Sequence, residues 1–157
     1  MERKISAEFY EEPISHDGVH DSRTYLASSG LFYEILYREI ARAQRDGQPL
    51  LLFRFTLEIS NGVRNSGGHE RALIAFAEAL TRSSRLSDVS ARIGPIEFLS
   101  LNNIPLESAG AFAERVHTRI RSEHSTFSFS FISLNGPENY PALLLRLDQA
   151  TVVKIEQ

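Results

Sequence analysis

The sequence predicts an α+β fold with a central, mostly antiparallel sheet, a split βαβ core and surrounding helices. Three observations carry this. After a first helix the periodicities run strand, helix, hairpin, helix, strand, the order of a split βαβ unit, which packs helices on one face of its sheet. The apolar set Leu51, Phe53, Phe55, Leu57 and Ile59 alternates with Arg54, Thr56 and Glu58, the period of a strand with one buried face. The chain has 157 residues, 42% hydrophobic and 24% charged, an ordinary balance for one domain with its own core.

Residues 1–20 are polar, carry Pro13 and Gly18 and lack a sustained period, so they read as a linker or capping segment ahead of a domain over 21–157. Ser28 or Ser29 caps a helix through Leu31, Phe32, Ile35, Leu36 and Ile40, which Gly47 and Pro49 stop. A strand from Leu51 to Ile59 and a loop from Ser60 to Gly68 follow. The next helix runs from His69 to Ser83 through Leu73, Phe76, Ala77 and Leu80. Short runs at Val89–Ile93 and Ile96–Leu101 flank Gly94-Pro95 as a hairpin. Ala109, Phe112, Ala113, Val116 and Ile120 place a helix over Glu107–Glu123, Phe127, Phe129 and Phe131 a strand over Thr126–Leu134, and a last helix runs from about Ala142 to Val153.

Composition excludes several functions. The sequence has no cysteine, which removes disulfides, thiolate metal sites and cysteine nucleophiles and agrees with a reducing, cytoplasmic setting. Seventeen basic against 20 acidic residues give a net charge of −3, so no basic field is present for nucleic acid or anionic lipid. No apolar run approaches the ~20 residues of a membrane span. Ser-His-Asp order, P-loop and dinucleotide fingerprint are absent.

Asp21, Thr24, Leu26 and Phe32, then Gly68-His69, then Gly94-Pro95-Ile96-Glu97-Phe98 after Arg92 follow one another at a spacing that resembles the GGDEF family, whose members condense two GTP molecules into cyclic di-GMP. The resemblance covers about Asp21 to Val153. The family opens with D-x-L-T-G-L-x-N-R-R-x-F, and Asp21, Thr24, Leu26 and Phe32 match. Gly68-His69 matches the end of the family's D-x-D-x-F-K-x-x-N-D-x-x-G-H segment, and Gly94-Pro95-Ile96-Glu97-Phe98, preceded by Arg92, stands at the signature. Ala113-Glu114-Arg115, Phe129-Ser130-Phe131 and Asp148-Gln149-Ala150 resemble later family segments. The resemblance implies a nucleotidyl-cyclase palm-like fold.

It also implies which residues would do the chemistry, and most are changed. Condensing GTP needs divalent cations held by carboxylates. Thr56 and Ile96 occupy those two positions; the guanine-reading Asn and Asp correspond to Arg64 and Leu73, and the phosphate-binding Lys to Asn61. Pro95 removes a backbone N–H and the positive φ open to a second glycine. Glu58 and Glu97 are the acids left near the site. The expectation is a degenerate, catalytically silent domain with no metal or cofactor.

The family's product-binding site, R-x-x-D, is retained as Arg85-Leu86-Ser87-Asp88 at the family's spacing from Gly94, and Arg115 stands where a further arginine is contributed. An arginine fork suits guanine O6/N7 or phosphate, and an aspartate accepts from guanine N1–H and its amine. The resemblance thus implies a cyclic di-GMP receptor through Arg85, Asp88 and Arg115, with a homodimer bridged by ligand. The alternative is a scaffold that binds no nucleotide and serves other domains of a longer chain or a signalling partner, Arg85 and Asp88 forming a plain surface ion pair. GTP binding without turnover is opposed by Leu73 and Arg64. His16, Asp17, His20 and Asp21 form a cluster of metal-ligating types on a segment without a rigid frame, read as solvated; Arg38, Arg42 and Arg45 form a basic stripe read as solvent-facing.

Overall fold

A computed structural model describes residues 14–60, 67–120 and 125–155. Its elements are α1 (Ser29–Asp46), β1 (Leu51–Ile59), α2 (Gly68–Ser83), β2 (Val89–Arg92), β3 (Glu97–Asn102), a 3-10 turn (Leu106–Ser108), α3 (Ala109–Arg119), β4 (Ser125–Ser133), α4 (Tyr140–Asp148) and β5 (Val153–Lys154). The strands form one sheet in the order β2-β3-β1-β4-β5, every neighbouring pair antiparallel.

The helices lie on both faces of the sheet, not on one. Leu51, Phe53, Phe55, Leu57 and Ile59 point into a core with Leu73, Phe76 and Leu80 of α2 and Phe112 and Val116 of α3. Leu52, Leu99, Leu101 and Ile132 point the other way, onto Phe32, Leu36 and Ile40 of α1 and Leu143 and Leu147 of α4. The alternation along β1 reveals only the first face; the second is built mainly from β3 and α1, whose apolar stripe must also be covered. The first core is largely aromatic. Phe76 lies 4.7 Å from Phe98, and Phe53 5.0 Å from Phe112, between ring centroids, distances at which tilted and edge contacts are favourable.

Each helix starts and stops for a local reason. Ser28 caps α1, its Oγ accepting from the Leu31 N–H at 3.3 Å, and Gly47 ends it in the left-handed conformation at φ 66°, which a residue without Cβ adopts freely. Asn139 caps α4 by accepting from the Ala142 N–H at 3.0 Å. That helix ends at Asp148 rather than running to Val153: the β-branched Thr151, Val152 and Val153 favour extended backbone, and Val153 pairs with Phe129. The third helix is shorter than its apolar period, stopping at Arg119. The hairpin turn is Gly94-Pro95-Ile96-Glu97, closed by the Gly94 N–H to the Glu97 carbonyl at 3.3 Å and the Glu97 N–H to the Gly94 carbonyl at 3.4 Å, so β3 begins at Glu97, one residue later than the sequence pattern suggests.

Residues 15–28 fold back against the sheet. The Ser28 N–H donates to the Val19 carbonyl and the Ser22 N–H to the Ser15 carbonyl. Ala27 bridges Ala91 in parallel, its N–H donating to the Ser90 carbonyl. This covers the edge of β2.

Candidate functional site

Two places matter. The first is on the α1/α4 side. Thr56 sits on the central strand with Glu97 directly across on β3 and Ser128 across on β4, making a polar row over three strands. Arg54, one pleat along, faces Ser130 and pairs with Asp148 of α4, Nη1 to Oδ1 at 2.6 Å. These residues line a cavity of about 170 Å³. Glu58 lies beside Lys154, 4.0 Å from its Nζ.

Ile96 is packed against the aromatic core and Leu73 is wholly inside it, so both belong to packing. Leu73 therefore faces phenylalanines, where a base edge would find no partner. Gly94 is buried and Pro95 lends its carbonyl to Arg92 Nη2 at 3.0 Å; Phe98 is a core residue. Asn61 and Arg64 lie outside the described residues. Among the described residues no three His, Asp or Glu side chains converge as a metal site.

The second place is the turn from α2 into β2. Asp88 folds back over it: Oδ2 accepts from the Arg85 N–H at 2.7 Å and Oδ1 from the Asn103 N–H at 3.4 Å, while the Asp88 N–H donates to the Arg85 carbonyl at 3.0 Å. The side-chain ion pair of the alternative reading, between Arg85 and Asp88, does not form. Arg85 is exposed, and its guanidinium bonds to no described residue. Leu86, at the tip, is fully exposed.

Arg115 is exposed on α3, its guanidinium carbon 5.7 Å from the centroid of the Phe112 ring, within cation–π range. Arg119, one helical turn further, reaches the end of α2, its Nη1 donating to the Arg82 carbonyl. The motif comparison overlooks Arg119. The spacing holds the clue, since residues four apart share a helix face.

The other candidates have structural roles. Asp21 is buried beside Arg92, Oδ1 to Nη1 at 3.4 Å, and its Oδ2 accepts from the Thr24 N–H at 2.8 Å and Thr24 Oγ1 at 2.7 Å. Asp17 accepts from the Val19 and His20 N–H groups at 2.8 and 2.6 Å, which hold its carboxyl below the usual range. His16 Nδ1 accepts from the Gly18 N–H. His69 is buried at the start of α2. The arginine stripe on α1 is compensated by its own acids: Arg38 by Glu34, Arg42 by Glu39, Arg45 by Asp46.

Similarity to known proteins agrees with this fold. The family model described as "Diguanylate cyclase, GGDEF domain" matches residues 18–135. The diguanylate cyclase DosC of Escherichia coli K12 is 26% identical over 160 residues, covering 93% of this chain and 35% of DosC, so the chain spans about a third of the curated relatives it matches. Among solved structures, the diguanylate cyclase SiaD of Pseudomonas aeruginosa, in complex with its activator SiaC, superposes with a TM-score of 0.73 at 27% identity, over 94% of this chain and 60% of SiaD. The GGDEF domain of DgcB from Caulobacter crescentus, in complex with c-di-GMP, superposes at 0.69 with 22% identity over 88% of each chain. With the palm-like sheet, the hairpin at Gly94–Phe98 and a family match over residues 18–135, the chain belongs to the GGDEF domain family.

Proposed function

We propose that this domain is catalytically silent and acts as a cyclic di-GMP receptor through Arg85, Asp88 and Arg115. The observation that carries the reading is the Arg85–Asp88 turn. Asp88 bonds across it and presents the exposed Arg85 guanidinium with no partner among the described residues, a planar fork open to guanine or phosphate. Arg115 is also exposed, one helical turn before the arginine that touches the end of α2. A neighbouring fold, the DgcB domain, was solved with c-di-GMP.

Silence is argued from the α1/α4 face. A metal bridging a triphosphate needs hard anionic oxygens. Thr56 supplies a neutral hydroxyl and Ile96 turns into the core, and of the acids around them Glu97 lies directly across the ladder from Thr56, Asp148 is paired with Arg54 and Glu58 lies beside Lys154.

Calorimetry with cyclic di-GMP is expected to give micromolar or tighter binding that Arg85→Ala removes, and incubation with GTP and Mn²⁺ to give no cyclic dinucleotide. A flat titration with folded protein refutes the receptor; product formation refutes silence. One observation favours the second reading, a scaffold for a partner protein: both Asp88 oxygens are taken by backbone N–H groups, as in a purely structural turn.

A further inference from the structure

The cavity on the α1/α4 face, which includes the altered signature positions Thr56 and Glu97, is polar and charge-bearing. Arg54 lies mid-way along the central strand, only 29% of its side chain exposed, and Asp148 takes its Nη1. Its Nε is buried and finds no acceptor among the described residues. Thr56, Ser128 and Ser130 line the same space, and their hydroxyls bond to no described residue. Glu97 also lines it, half-buried, with no hydrogen bond or ion pair from its carboxylate to a described residue.

Charge decides what such a space accepts. Asp148 offsets Arg54, and at the rim Lys154 offsets Glu58. Glu97 is left over, one uncompensated negative charge in a partly enclosed site where Coulomb terms exceed their value in water. Phosphate esters are therefore disfavoured, and a ligand with a positive end is favoured. Glu97 and Arg54 lie on the diagonal of the β1–β3 ladder, a spacing of about 7–8 Å between residues. Thr56 between them is short. Tyr33, from α1, senses the same groups: burial raises its hydroxyl pKa, Arg54 opposes the rise, and Asp148 and Glu97 add to it.

We propose that this cavity binds a small protonated amine that also carries a hydrogen-bond acceptor, the class of amino acids and amino alcohols, with the ammonium on Glu97 and the acceptor on Arg54 and the flanking hydroxyls. The volume of about 170 Å³ suits a molecule of that size. The site shares no residue with the Arg85 turn between α2 and β2.

Backbone amide NMR of the whole chain tests this with glycine, L-serine and ethanolamine as probes, and with acetate, glycerol, inorganic phosphate and GTP–Mg²⁺ as comparators. The expected result is a saturable shift of the Thr56, Ser128 and Ser130 resonances with the amines and none with the comparators. Glu97→Gln should weaken amine binding by about tenfold to a hundredfold, the loss of one charge-assisted hydrogen bond, and leave cyclic di-GMP binding unchanged. Thr56→Leu, which fills the space, should abolish amine binding even if Glu97→Gln fails to fold. No saturable shift with any amine, an equal shift with acetate or phosphate, or unchanged amine binding in folded Glu97→Gln overturns the site. A GTP–Mg²⁺ shift at these residues overturns both this site and the silent active site, whereas loss of cyclic di-GMP binding alone leaves it standing.

Discussion

Tyr25 stands where the family has the glycine of D-x-L-T-G-L, and its backbone is left-handed at φ 59°. A side chain in the left-handed region costs roughly 1–2 kcal/mol. Tyr25 is 73% exposed, and stacking on His20, centroids 4.1 Å apart, offsets part of that cost. Tyr25→Gly is therefore expected to stabilise the domain by up to about 1 kcal/mol in urea denaturation; a loss of stability would show that the stack outweighs the strain. Arg92 presents the opposite case. It is buried with Asp21, tying the segment before α1 to the base of the hairpin. Removing one partner of a buried pair strands the other, so Arg92→Ala should cost about 3–5 kcal/mol, read from the same denaturation curves.

At the level of elements, the turn from β4 into α4 is held by Arg146, which donates to Glu138 and, through Nη2, to the Ser133 carbonyl at 2.7 Å. The Arg146 hydrogen bond is the main cause that holds the Glu138 carboxyl below its usual value of 4.5. The folded state thus binds fewer protons here than the unfolded chain, and the stability this gives is complete above about pH 4.5 and fades as pH falls through the folded pKa. Comparing the parent with Glu138→Gln between about pH 6 and about pH 3 should show a stability gap that narrows with acid. A gap independent of pH would place the contribution in packing. The same helix explains a misreading from sequence: its apolar period carries on past Asp148, yet Val153 gains a strand partner in Phe129, and tertiary pairing overrides local period.

For the whole molecule, the two proposed sites share no residues, the Arg85 turn lying between α2 and β2 and the cavity being lined from β1, β3, β4 and α4. A dianionic ligand with two guanines has faces for two arginine forks, so cyclic di-GMP is expected to drive a concentration-dependent dimer, visible by sedimentation and lost in Arg85→Ala. Occupancy at 100 times Kd should also raise stability by about 2.7 kcal/mol. Ligand binding without any change in mass would restrict the receptor reading to a monomer.

The sequence by itself determined the element order, the face of β1 that enters the aromatic core and the neutral side chains at Thr56 and Ile96, because periodicity and side-chain chemistry are local properties. Only the tertiary structure decided that helices cover both faces, that Asp88 bonds to backbone N–H groups and leaves Arg85 open, that Arg119 touches the end of α2, and that Arg54, Glu97, Ser128 and Ser130 surround one cavity. Those outcomes depend on strand register and helix packing between residues distant in sequence, and a one-residue slip of register would send each side chain to the other face.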